Sequence, residues 1–149
     1  KGNVLDLMSK SNLTTSNALI DLCNALNNND IDSSITALKQ IFLNIDYSVK
    51  ISLEKHYQNI FYLIFQLLGY RIQTEYKTSI GCIDAIIQTK TDIYIFEFKM
   101  NKTAQEALEQ IKDKSYYARF IATGKPIYLV GVNFNEQLRN IDDYIYEQI

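Results

Sequence analysis

Cys82-Ile83-Asp84-Ala85-Ile86-Ile87-Gln88-Thr89-Lys90-Thr91-Asp92-Ile93-Tyr94-Ile95-Phe96-Glu97-Phe98-Lys99 holds two runs rich in β-branched and aromatic residues, on either side of Lys90-Thr91. That pattern predicts a β-hairpin. With residues 90 and 91 as the turn pair, Asp84 and Glu97 each lie six positions out and become direct cross-strand partners. Such partners have Cβ atoms about 4.5–5.5 Å apart, and the period of two along a strand puts Lys99 on the face of Glu97. Two acids held that close repel each other unless a cation lies between them or one stays protonated. A hard divalent cation with oxygen ligands, such as Mg²⁺, is the simplest resolution. Lys99, two residues along the same face, is placed to orient an attacking water or to stabilise charge on a phosphoryl group. The competing expectation is an ordinary ion pair between Lys99 and either acid on a solvated sheet face. Ile86 and Ile95 beside the acids argue instead for a covered face, and so for a site suited to cutting phosphodiester bonds.

Working outward, Tyr70–Lys77 alternates like a half-exposed strand, and Thr78–Gly81 reads as a turn into the hairpin. After the hairpin, Thr103 and Glu106 have capping-box spacing and open a helix carrying Ala107, Leu108 and Ile111, which is predicted to last until Gly124-Lys125-Pro126. Ile127–Phe134 is an apolar strand. A strand, helix, strand path through residues 92–134 makes that strand a parallel neighbour of the hairpin, so the sheet is mixed. Ile141–Tyr146 adds a candidate edge strand.

Upstream, Ser52–Gly69 reads as a helix, with Ser52 as cap and Gly69 where the chain turns out. Helical angles put Glu54 on the face of Tyr57, Phe61, Phe65 and Leu68, the face expected to be buried. An acid is costly there unless paired or bound to a cation, although near the first turn it also favours the helix dipole. His56 falls between Leu63 and Leu67, away from Glu54, and reads as a packed or partly exposed histidine. Residues 3–50 read as helical: Leu19, Leu22, Cys23 and Leu26 define a first helix stopped at Asn27-Asn28-Asn29, and Ile35, Leu38, Ile41, Phe42 and Ile45 define a second, capped at Asp32 or Ser33. The domain reading is a helical connector over 1–50 and an α/β domain over 51–149.

The 149 residues are 47% hydrophobic and 21% charged, enough for a globular core and unlike a disordered chain. A net charge of −2 leaves nucleic-acid contact to a local basic patch. Cys23 and Cys82 make neither a disulfide framework nor a CxxC, which fits a reducing cytoplasm and no metal at the cysteines. No run approaches a membrane span, so no membrane partner is expected. The opening Lys1-Gly2-Asn3 has neither an initiator Met nor a signal pattern, as expected for a piece of a longer protein.

Gly81-Cys82-Ile83-Asp84, with Glu97-Phe98-Lys99 following, resembles the PD-(D/E)xK nuclease superfamily, with Ile83 where the proline of the name would stand. The helix from Glu54 to Gly69 resembles the one that in many members brings a glutamate to the metal site. Ala107-Leu108-Glu109-Gln110-Ile111-Lys112 and Gly124-Lys125-Pro126 extend the resemblance, over residues 50–149, to the branch at the C-terminus of bacterial AAA-ATPase-like proteins. Residues before it, including Ile45-Asp46-Tyr47, are similar to that branch's connector. Related members carry a glutamine and a tyrosine on the following helix, matched here by Gln110 and, at a step longer than the usual four, by Tyr116. The resemblance implies a restriction-endonuclease-like α/β core with its mixed sheet flanked by helices. It further implies Mg²⁺- or Mn²⁺-dependent hydrolysis of DNA, with RNA as the alternative, by a metal-activated water. Asp84, Glu97 and Glu54 would hold the metal, Lys99 would position the nucleophile and Gln110 would sit beside the site. Lys102, Lys112, Lys114, Arg119 and Lys125 are candidates to track a nucleic-acid backbone, set against the ordinary reading of a solvated charged face. The partners implied are nucleic acid and an AAA-ATPase-like domain N-terminal to this region. The alternatives are a module that binds nucleic acid without cutting it, and a protein-interaction module.

Overall fold

The structure, a computed structural model, describes residues 12–44, 53–77, 82–114 and 116–149. Within these ranges the side chains of Glu54, His56, Cys82, Asp84 and Tyr116 are not described, and Ser52 and the turn at 78–81 also lie outside. The chain divides into two compact units, Lys1–Leu68 and Gly69–Ile149.

In the first unit, α1 (Asn12–Asn27) and α2 (Ile31–Leu43) are joined by a short turn in which Asn29 has φ 57°. The predicted period is realised in the packing: Leu22 and Leu26 of α1 and Ile35, Leu38, Ile41 and Phe42 of α2 are all buried. The cap of α2 is Asp30, earlier than the predicted Asp32 or Ser33. Asp30 accepts hydrogen bonds from Ser33 N–H at 3.0 Å and from Ser33 Oγ at 2.6 Å. These bonds, the side-chain one foremost, hold its carboxyl below the usual carboxylate range. The helix starts two or three residues earlier than expected because Asp30 supplies both the acceptor and the last non-helical backbone position. The third helix, α3 (Leu53–Leu67), buries Phe61 and Phe65, whose rings meet in a tilted pair with centroids 4.6 Å apart and planes at 46°.

The second unit is a five-stranded sheet in the order β1 (Arg71–Lys77), β2 (Cys82–Gln88), β3 (Ile93–Met100), β4 (Ile127–Asn135), β5 (Asn140–Gln148). The β3/β4 pair is parallel and the others are antiparallel. This is the mixed, restriction-endonuclease-like α/β architecture predicted, with β5 as the added edge strand. The β3-to-β4 crossover contains α4 (Ala104–Lys114) and a 3₁₀ helix (Tyr116–Thr123). The single long helix expected there therefore ends nine residues early, and Tyr117 and Phe120 join the core from a tighter turn instead.

The capping box at the start of α4 is formed: Glu106 N–H donates to Thr103 Oγ1 at 3.0 Å, and Thr103 Oγ1 donates to Glu106 Oε2 at 3.0 Å. The helix lies over one face of the sheet, where Leu108 and Ile111 pack with Ile86, Ile93, Ile95, Ile127 and Leu129. Gly131 makes that contact close, since a Cβ there would lie 2.5 Å from Ala104 O and 2.7 Å from Leu108 N. On the opposite face Ala85, Ile87, Tyr94, Phe96, Val130 and Val132 are buried too, as expected for central strands.

Candidate active site

The hairpin has the predicted register. Asp84 is the Cα partner of Glu97, and the pairing runs without a slip to Gln88 and Ile93 at the turn. Direct partners in an antiparallel pair occupy one face, and a slip of one residue would have separated these acids. On the other side of β3, Glu97 pairs with Gly131 and Lys99 with Asn133. Glu97 thus lies on the α4 face, continuing the row of Ile93 and Ile95.

Glu97 is 0% exposed, whereas Lys99, near the end of the strand, is only partly buried. An ionised carboxylate in such a place costs several kcal/mol unless it is paired and hydrogen-bonded. Its Oε1 lies 3.5 Å from Lys114 Nζ, on the last turn of α4. Its Oε2 is buried without a hydrogen-bond partner among the described residues. One oxygen held loosely and the other left over is a carboxylate with lone pairs to give to a cation, and hard carboxylate oxygens are the donors that Mg²⁺ and Mn²⁺ take. Glu97 therefore fits the part of a divalent-ion ligand. Among the described residues no group of three or more His, Cys, Asp and Glu is arranged to hold a metal; the side chains of Asp84 and Glu54 are not among them.

Gln110 is on α4, one helical turn before Lys114, so the two share a helix face. Its Nε2 is buried. Tyr116 opens the 3₁₀ helix and is not on α4 with Gln110. The residue four positions after Gln110 is Lys114, and this is the residue that reaches Glu97. By sequence, Lys114 belongs with the basic candidates for nucleic-acid contact. The i, i+4 step from Gln110 was the available signal for its real neighbourhood, but only the crossing of α4 over β3 brings the two side chains together.

The other basic candidates are dispersed. Lys112 forms an ion pair with Glu147 of β5 at 2.8 Å, Lys125 Nζ donates to Thr89 O at 3.1 Å, and the Arg119 guanidinium lies 5.1 Å from the centre of the Phe120 ring. Lys102 is exposed, and its N–H donates to Asn133 Oδ1 at 2.9 Å. Asn133 is itself buried beside Lys99 and donates to Asp142 Oδ1 at 2.9 Å, so it braces the end of β3 and the entry to α4.

A mixed sheet that pairs an acid on each hairpin strand, with a lysine two residues beyond the second, is the core of one class of nucleases. The family model of the PD-(D/E)XK nuclease superfamily matches residues 52–144, and the chain belongs to that superfamily. The chain is also similar to an uncharacterised protein in the vnfD 5′ region of Azotobacter chroococcum mcd 1, at 37% identity over 98 residues. That match covers 64% of this chain and 19% of the relative. No described helix is long and apolar enough to cross a membrane.

Proposed function

We propose that this region is a Mg²⁺- or Mn²⁺-dependent nuclease that hydrolyses phosphodiester bonds of DNA, with RNA as the alternative substrate. The observation that carries the reading is the Asp84–Glu97 register with a fully buried, half-satisfied Glu97 carboxylate. Asp84 and Glu97 are the proposed metal ligands, and Glu54 enters as a third on the family resemblance alone. A divalent ion held there would lower the pKa of a bound water and offset charge on the phosphate. Lys99, at the open end of the same row, would orient the nucleophile and stabilise the charge that develops on the phosphoryl oxygens. Gln110 would contact substrate phosphate from α4. The resemblance further suggests an AAA-ATPase-like domain as the N-terminal partner and a bacterial source, and the sparse cysteines suggest a cytoplasmic setting.

Cleavage of single- and double-stranded DNA and of RNA with Mg²⁺ or Mn²⁺ tests the reading. Asp84→Ala should abolish both cleavage and metal binding, because it removes a ligand. Lys99→Ala should abolish cleavage and keep metal binding, because an ammonium is not a ligand. If Lys99→Ala cuts as fast as the parent, the catalytic reading is wrong. A parent that binds nucleic acid and cuts none of it would support the non-catalytic binding module instead.

A further inference from the structure

Lys114 has a place in the site that the metal-and-lysine mechanism does not use. Its side chain is 15% exposed, and its ammonium faces a carboxylate with no exposure at all. The separation of 3.5 Å exceeds the roughly 2.7–2.9 Å of a tight charge-assisted hydrogen bond. Coulomb attraction falls only as the inverse of distance, so at this range the lysine still neutralises Glu97 without being locked to it. Lys114 is also the last residue of α4, where the helix dipole favours a cation and unpaired carbonyls give an ammonium another resting place.

We propose that Lys114 is the internal counter-ion of Glu97 and competes with the divalent cation for that carboxylate. The inference rests on the reading of Glu97 as a metal ligand. Without metal, Lys114 compensates a buried charge that has no other ion pair among the described residues. When a divalent ion takes the oxygens of Glu97, the ammonium must withdraw, since two cations on one carboxylate in a poorly solvated pocket repel strongly. The energy spent in releasing Lys114 weakens metal binding by the same factor, as for any two ligands that exclude each other. Substrate phosphate brings further oxygen ligands and negative charge, so the site holds its metal most firmly when nucleic acid is present.

Calorimetric titration of Mn²⁺ into the purified protein, alongside metal-free thermal melting, tests this. Lys114→Met should bind Mn²⁺ roughly 5- to 150-fold more tightly than the parent, the ordinary span of coupling between two ligands. Its metal-free form should melt at a lower temperature, and saturating Mn²⁺ should close the gap. Lys114→Arg, which keeps the charge, should bind Mn²⁺ like the parent. So should Lys112→Met, which removes a charge two residues away that is engaged with Glu147. Lys114→Gln serves as the neutral variant if Lys114→Met does not fold.

Parent-like or weaker Mn²⁺ binding in the neutral variants would overturn the competition; if Glu97→Gln still abolished binding, the metal reading would stand. Equal tightening by Lys112→Met would reduce the effect to general charge and likewise overturn it. Mn²⁺ binding that is absent in the parent, or unchanged in Glu97→Gln, would remove the metal-ligand reading and the inference together.

Discussion

Gly131 shows how one residue sets the geometry of the site. It is the β4 partner of Glu97, and α4 passes directly over it. A methyl group at this position would sit 2.5–2.7 Å from backbone atoms of Ala104 and Leu108, and backbone cannot rotate away as a side chain can. Gly131→Ala should therefore lift the start of α4 and destabilise the protein by about 2 kcal/mol or more, in the upper range of overpacking costs. Chemical denaturation would measure it, and a cost under about 0.5 kcal/mol would mean that α4 is not held as closely as described. The same residue bears on chemistry, because Lys114 reaches Glu97 only from a helix seated this close.

At the scale of elements, α4 is mostly polar outside its buried Ala104, Ala107, Leu108 and Ile111, and its position depends on how it begins. Two devices fix that beginning: the Thr103–Glu106 capping box, and Asn101, which adopts φ 56° and accepts from Glu136 N–H at 3.0 Å. Thr103→Ala should cost about 1 kcal/mol, the usual loss for an N-cap threonine, and should leave cleavage measurable because Thr103 is exposed and touches none of the proposed site residues. Equilibrium unfolding checks the first part and a cleavage assay the second. This capping box was legible in the sequence, since it is a local pattern with a local cause. The end of the helix was not. The sequence offers no Gly or Pro between Thr103 and Gly124, and the change to 3₁₀ geometry after Lys114 serves the burial of Phe120 against the sheet, a demand made by tertiary packing.

For the whole molecule, a metal bound only by the folded state adds to its stability by mass action. On the proposed reading, Mg²⁺ at one hundred times its dissociation constant should stabilise the fold by about 2.7 kcal/mol. The rise in Tm should vanish in Glu97→Gln, which cannot offer an ionised carboxylate. An equal rise in that variant would show that the stabilising ion binds elsewhere. The match to the superfamily over residues 52–144 runs from α3 in the first compact unit through β5 in the second. The chain spans only 19% of the relative from Azotobacter chroococcum, so what the longer protein acts on and assembles with remains part of the proposal.

The sequence by itself determined the hairpin register, because an apolar strand with a fixed turn tolerates no slip. It also determined the mixed sheet, because a strand, helix, strand path closes as a parallel pair. Local chemistry was enough for each: period, turn position and cap. Only the tertiary structure decided that the crossover helix stops at Lys114, and that Lys114 rather than Lys99 makes the ion pair at Glu97 among the described residues. The helix end answers to the burial of Phe120 against the sheet, and the ion pair to where α4 crosses β3. That crossing is made close by the missing side chain of Gly131, on a strand more than thirty residues away from Glu97 in sequence.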